Sequence, residues 1–182
     1  AEKRPLFKQG AGALLDGSND ALASAAAIDL SGTDEIMVIA GVRKLSDAAR
    51  GLIASVSATP GGNSGIFTLE VPGSPAVGYR SFIKGTVAAQ ADTGAIAAPD
   101  TAVLTIEGKI STDLARLRVD QGAWFNGSTD MGAGNFGNHA LYVGALGGSS
   151  AYLNGYITGL TIIPYIDGDL RSLAESVVAG LN

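Results

Sequence analysis

Hydrolysis of a glycosidic bond ordinarily needs two carboxylates facing one cleft, about 5–9.5 Å apart. This chain offers few acids at suitable spacing. Asp34 and Glu35 are adjacent, so on a strand they point to opposite faces, while Glu70 and Glu107 each stand alone in an apolar run. A Ser-His-Asp triad would have to use His139, the only histidine, and no Gly-x-Ser-x-Gly turn presents a nucleophile. His139 therefore reads as a solvated residue at a loop end, bonding a neighbouring carbonyl. With no cysteine in the chain, thiolate nucleophiles, disulfides and Cys-ligated zinc are excluded.

Binding chemistry is better represented. Asp120-Gln121-Gly122-Ala123-Trp124-Phe125-Asn126-Gly127-Ser128-Thr129-Asp130 sets the only tryptophan and a neighbouring phenylalanine among amides and carboxylates. Sugars are held by that mixture, a flat aromatic face for C–H surfaces and polar groups for hydroxyls. The expected ligand-binding residues are Asp120, Trp124, Phe125 and Asn126, with Asn135, Asn138 and Tyr142 in support and Tyr79 with Arg80 as a further pair. The competing reading is that Trp124 or Phe125 fills the core beneath the loop, since strand neighbours face opposite ways.

Asp16-Gly17-Ser18-Asn19-Asp20 resembles the start of a calcium loop, but Ala27 stands where the bidentate Glu would fall. The preferred reading is a hydrogen-bonded turn without a cofactor. Calcium at Asp16, Asn19 and Asp20, or near Asp120 and Asp130, is the alternative.

The elements that position these residues follow from punctuation. Turns are expected at 31–34, 59–63, 71–75, 120–122 and 146–150, where Gly, Pro, Asn and Asp cluster. Between them lie short runs with the strand period: 35–43, apolar enough for a central strand, then 65–71, 104–110, which alternates as a half-buried strand does, 115–120, 140–145 and 156–163. Both arginines of 115–120 are placed on the wet face. Residues 46–53 predict a short helical turn, and 87–98 a long loop plus part of a strand. Leu170, Leu173, Val177 and Val178 recur at helical spacing after Asp169, the expected cap, and Gly180 ends the helix. The reading is an all-β, two-sheet antiparallel β-sandwich with a short C-terminal helix.

Composition agrees. The chain has 182 residues, 46% hydrophobic and 16% charged, with a net charge of -5. Such a length implies a single domain over 1–182, with 1–10 as a flexible N-terminal arm. The acidic balance argues against nucleic acid, no apolar run reaches the roughly 20 residues of a membrane span, and the first residues lack the apolar stretch of a signal peptide. Lys3-Arg4 and Arg43-Lys44 read as solvated charges.

Leu15-Asp16-Gly17-Ser18, Ile28-Asp29-Leu30, the strand from Glu35 to Arg43 and the Val119-Asp120-Gln121-Gly122 turn, which has room for a bulge, resemble elements of laminin-G-like, concanavalin A-like lectin jelly-roll domains in order. The closing run Tyr152-Leu153-Asn154-Gly155-Tyr156-Ile157-Thr158-Gly159-Leu160-Thr161-Ile162-Ile163 is similar to the family's last hairpin. The resemblance implies a jelly roll of the kind found in bacteriophage tail and adhesion proteins and bacterial surface proteins. It implies a non-catalytic binding module at a virion or cell surface, attached to a host surface through a glycan. As a homo-oligomer it would gain strength from multivalency. A purely structural assembly or decoration role, contacting other virion or surface subunits, is the alternative. A glycan hydrolase is the third reading.

Overall fold

A computed structural model of the chain describes residues 4–8 and 12–181. Thirteen strands carry the fold: β1 Leu6–Lys8, β2 Gly12–Asp16, β3 Leu22–Asp29, β4 Glu35–Lys44, β5 Gly51–Ser55, β6 Ile66–Val71, β7 Arg80–Lys84, β8 Ala88–Asp92, β9 Asp100–Lys109, β10 Leu114–Val119, β11 Phe125–Asn126, β12 Asn138–Val143 and β13 Asn154–Ile163. A helix, α1, spans Gly168–Ala179. The strands form a seven-stranded sheet, β1-β2-β13-β4-β9-β10-β11, and a six-stranded sheet, β3-β12-β5-β6-β7-β8. Every pairing is antiparallel. The chain is an all-β sandwich, and no helix among the described residues is long and apolar enough to cross a membrane.

Alternation builds the core. Ile36, Val38, Ala40 and Val42 of β4 face Phe67, Leu69 and Val71 of β6 and Ile83 of β7 across the sheets. Gly108 of β9 lets Ile83 approach closely, since a Cβ there would lie 2.6 Å from its Cγ2. The opposite face of β4 carries Met37 and Ile39, which with Val103 and Val178 form a second cluster under α1. Strand β4 therefore has apolar residues on both faces because a sheet covers one and a helix the other.

Several local expectations change for the same reason. Residues 104–110 do not make a half-wet strand: α1 buries Thr105 and Glu107 on the outer face of β9. Arg116 and Arg118 are on that face too, but they are tied to acids and overlain by Trp124 instead of being solvated. Residues 46–53 form no helix. The Asp47 carboxylate takes the Lys44 ammonium and the Ala98 N–H, and β5 begins at Gly51. Lys44 is itself fully buried, bonded to Asp47 and the Ile96 carbonyl, with its ammonium 5.0 Å from the Tyr79 ring centroid. Lys3 lies outside the described residues.

The helix cap is Asp167, not Asp169: its Oδ1 accepts the N–H groups of Asp169 at 2.8 Å and Leu170 at 2.9 Å. Glu175 and Val178 are buried, whereas Leu173 and Val177 turn outward. The 120–122 turn has Asp120 and Gln121 at positive φ and closes through the Gly122 N–H to the Val119 carbonyl at 2.8 Å, and since Leu117 then pairs with Phe125 the 122–125 side carries the one extra residue of a bulge. Leu6–Lys8 is an edge strand on β2, while 1–3 and 9–11 lie outside the described residues.

Candidate functional site

The sequence's foremost candidate, Trp124, is half-buried on the outer face of the seven-stranded sheet. Alternate residues of β10 send Arg116 and Arg118 to that face, and α1 supplies Arg171. Their guanidinium carbons lie 4.2, 4.6 and 5.7 Å from the indole centroid. The same cations hold two buried acids. Glu107 accepts from Arg116 and Arg171, and Glu175 from Arg118 and the Thr105 hydroxyl. Trp124 thus covers an ion-pair cluster that fastens α1 to the sheet, and its π face is used by the chain's own arginines.

Its neighbours are similarly occupied. Phe125 stands opposite Leu117, on the side facing the core, yet remains 36% exposed because β11 is an edge. Asn126 is exposed opposite Arg116. The Asp120 Oδ1 accepts the Val103 N–H at 2.8 Å. The Asn135 amide donates to the Ser31 carbonyl at 2.7 Å, tying two loops. Asn138, exposed, pairs with Asp29, and Tyr142 pairs with Ala23 and Ser55.

These residues do not converge. Strand β11 packs near β8, at the edge of the six-stranded sheet remote from β3 and β12, which carry Asn138 and Tyr142. Tyr79 is buried, its hydroxyl donating to Asp100 Oδ2 at 2.7 Å; burial, then that bond, raises its pKa above the ordinary phenol value. His139 Nε2 lies 3.2 Å from the Ser64 carbonyl.

The Asp16–Asp20 turn uses its oxygens internally. Asp16 Oδ1 accepts the N–H groups of Ser18 and Asn19, and Asp20 Oδ2 accepts that of Asp16. Among the described residues no three acidic or histidine side chains gather as a cation site. Glu70 and Glu107 lie on the outer faces of opposite sheets, each clamped by arginines, and so share no cleft.

What the fold does bring together is on the outer face of the six-stranded sheet. In β6, Phe67, Leu69 and Val71 go to the core and Ile66, Thr68 and Glu70 alternate to the other side of the sheet, where they too are buried. In β7, Ser81 and Ile83 are buried and Arg80, Phe82 and Lys84 are outward; in β8, Ala88, Gln90 and Asp92 are. Register aligns them in rows: Tyr142, Ser55, Thr68, Phe82 and Gln90 stand opposite one another in turn across five strands. Beside that row Glu70, Arg80 and Asp92 align, and on its other side Ile66, Lys84 and Ala88.

A groove of about 230 Å³ runs over this grid, lined by Arg50, Pro60, Gly61, Ile66, Thr68, Phe82, Lys84 and Ala88. Its rim is the 59–63 turn. Gly62 and Asn63 N–H groups bond the Thr59 carbonyl, and the Lys84 ammonium reaches the Pro60 and Gly61 carbonyls at 3.3 and 2.8 Å. At the far end Arg50 bonds Glu70 through Nε and Nη2. The Ser55 and Thr68 hydroxyls, 3.2 Å apart and both buried, bond one another in the row of Phe82.

Sequence reading missed Arg50, Thr68, Phe82, Lys84 and Gln90. The available signal was the alternation in Arg80-Ser81-Phe82-Ile83-Lys84, which puts two cations and a ring on one face.

No family model matches the chain, and no curated protein matches it in sequence. Solved structures do match. The carbohydrate-binding module CBM40 of the Ruminococcus gnavus IT-sialidase, bound to α2,3 sialyllactose, shares 16% identity at a TM-score of 0.59, over 84% of this chain and 96% of that one. Domains LG4-5 of the mouse laminin α1 chain share 16% at 0.61, over 82% and 40%. The enzymatically active domain of bacteriophage CBA120 tailspike protein 2 shares 12% at 0.67, over 100% and 30%. At such identities the likeness is one of fold: the chain has the laminin-G-like, concanavalin A-like lectin jelly-roll fold.

Proposed function

We propose that the chain is a non-catalytic glycan-binding module of a bacteriophage virion or bacterial surface protein, attaching it to a host surface. The observation that carries this reading is the groove on the six-stranded sheet, where one aromatic ring, a hydroxyl and two cationic side chains line a single depression. Phe82 packs against the C–H face of a sugar. The exposed Gln90 amide beside it exchanges hydrogen bonds with ring hydroxyls, and Arg50 and Lys84 hold the two ends. No carboxylate is among the residues lining the groove, so it holds a ligand without supplying the acid and base of hydrolysis.

The reading is supported by the likeness to a carbohydrate-binding module bound to sialyllactose and to a tailspike domain. A shallow groove of this size gives weak binding at one site, strengthened by repeated display. The other reading, an assembly module contacting protein, is favoured by Leu173 and Val177 of α1, one turn apart and 62% and 58% exposed.

The test is a screen of the protein, displayed multivalently on beads, against immobilised bacterial polysaccharides and oligosaccharides. Retention by at least one glycan class, reversed by the free sugar, is expected. Absence of retention across the panel contradicts the proposal.

A further inference from the structure

Resting on the glycan-binding reading, we infer that the groove selects an acidic sugar, one bearing a carboxylate or sulfate, and that Lys84 is the residue that selects it. The groove's lining includes two cations and no acid, in a chain whose net charge is -5. On the surrounding face the charges nearly cancel. Arg50 and Arg80 share Glu70 and Asp92, with Arg50 on Glu70 and Arg80 bridging Glu70 at 4.0 Å and Asp92 at 2.6 Å. Lys84 is left over. Its ammonium donates only to two carbonyls of the rim turn, with no carboxylate partner among the described residues, which leaves one of its three N–H donors for a ligand.

Arg50 commits Nε and Nη2 to Glu70, and its charge is answered there. Ile66 and Glu70 are four residues apart on β6, about 13 Å at the strand rise. Lys84 stands opposite Ile66 and Arg80 opposite Glu70, with Phe82 opposite Thr68 between them. A ring lying over Phe82 therefore presents a substituent to Lys84 at one end of the groove. A hydroxyl there gains an ordinary hydrogen bond; a carboxylate or sulfate gains a charge-assisted one, roughly twice as strong. The volume, about 230 Å³, suits a single sugar residue.

The experiment uses the whole chain and matched ligands in calorimetric titration: a uronic-acid oligosaccharide against the same sugar reduced to the alcohol, and a sulfated one against its desulfated form. The acidic member of at least one pair is expected to bind roughly tenfold tighter, with the advantage shrinking as salt rises. Preference within the carboxylate pair identifies a uronate-type ligand; preference within the sulfate pair identifies a sulfated one. Equal affinity within both pairs overturns acid selection while leaving the glycan-binding reading standing. No binding to any member overturns both. The Lys84→Gln variant keeps donors for the rim carbonyls but carries no charge, so it is expected to lose the acid preference, the affinity for the acidic form falling several-fold more than that for the neutral form. An equal fall for both forms, at an unchanged melting temperature, overturns the role of Lys84.

Discussion

Replacing Glu175 by alanine is expected to lower the free energy of unfolding by about 3–5 kcal/mol, measured by urea titration followed by tryptophan fluorescence. Glu175 is fully buried and accepts from Arg118 Nε at 2.9 Å, from Arg118 Nη2 at 2.7 Å and from the Thr105 hydroxyl. Arg118 has a side chain only 12% exposed, lying against Trp124. Removing the acid leaves that guanidinium without its anion and the Thr105 hydroxyl without its acceptor. Unpaired charge in such a place costs far more than the pair contributes over an apolar substitute. The double variant Arg118→Met with Glu175→Leu is accordingly expected to recover most of the loss. A loss below about 1 kcal/mol for Glu175→Ala, the level of an exposed pair, would show that α1 is held by Val178 and Ala174 packing alone.

Phe82→Ala is expected to weaken glycan binding by about 2 kcal/mol, roughly thirtyfold, as removal of a central aromatic anchor does, read by calorimetry with the glycan found in the screen. The ring is partly exposed on the outer face and no part of the core beneath, so the melting temperature should move little. Trp124→Ala should behave in the opposite way. It uncovers Arg116, Arg118 and Arg171, lowers stability and leaves affinity as it was. Reduced affinity for Trp124→Ala and none for Phe82→Ala would move the site to the β11 edge.

Much of the sandwich was legible because its strands obey period-two patterning with strong turn residues between them. The run Glu35-Ile36-Met37-Val38-Ile39 announced a strand covered on both faces, and β4 is the central strand of its sheet. Thr59-Pro60-Gly61-Gly62-Asn63 was read as a turn and forms one. Less legible were residues whose environment is set by distant segments. Asp47 attracts Lys44 and the 96–98 loop, which overrides the helix propensity of Asp47-Ala48-Ala49. Arg116 and Arg118 follow the alternation of an exposed face, but the helix lies over fifty residues further along and its acid is invisible to a local window.

The proposed groove was hidden for the same reason. A tryptophan amid amides has sugar-binding composition, while the cations packed on its ring come from β10 and α1, outside any local window. Phe82 and Thr68 are fourteen positions apart and become neighbours only through the β6–β7 register.

The most direct measurement is an amide chemical-shift titration of the isotope-labelled protein with the bound glycan. Shifts concentrated at Thr68, Phe82, Lys84, Gln90 and the 59–63 turn are predicted, with Trp124, Phe125 and Asn126 unmoved. Saturable shifts confined to 120–126, with the outer face of β6–β8 silent, would contradict the account.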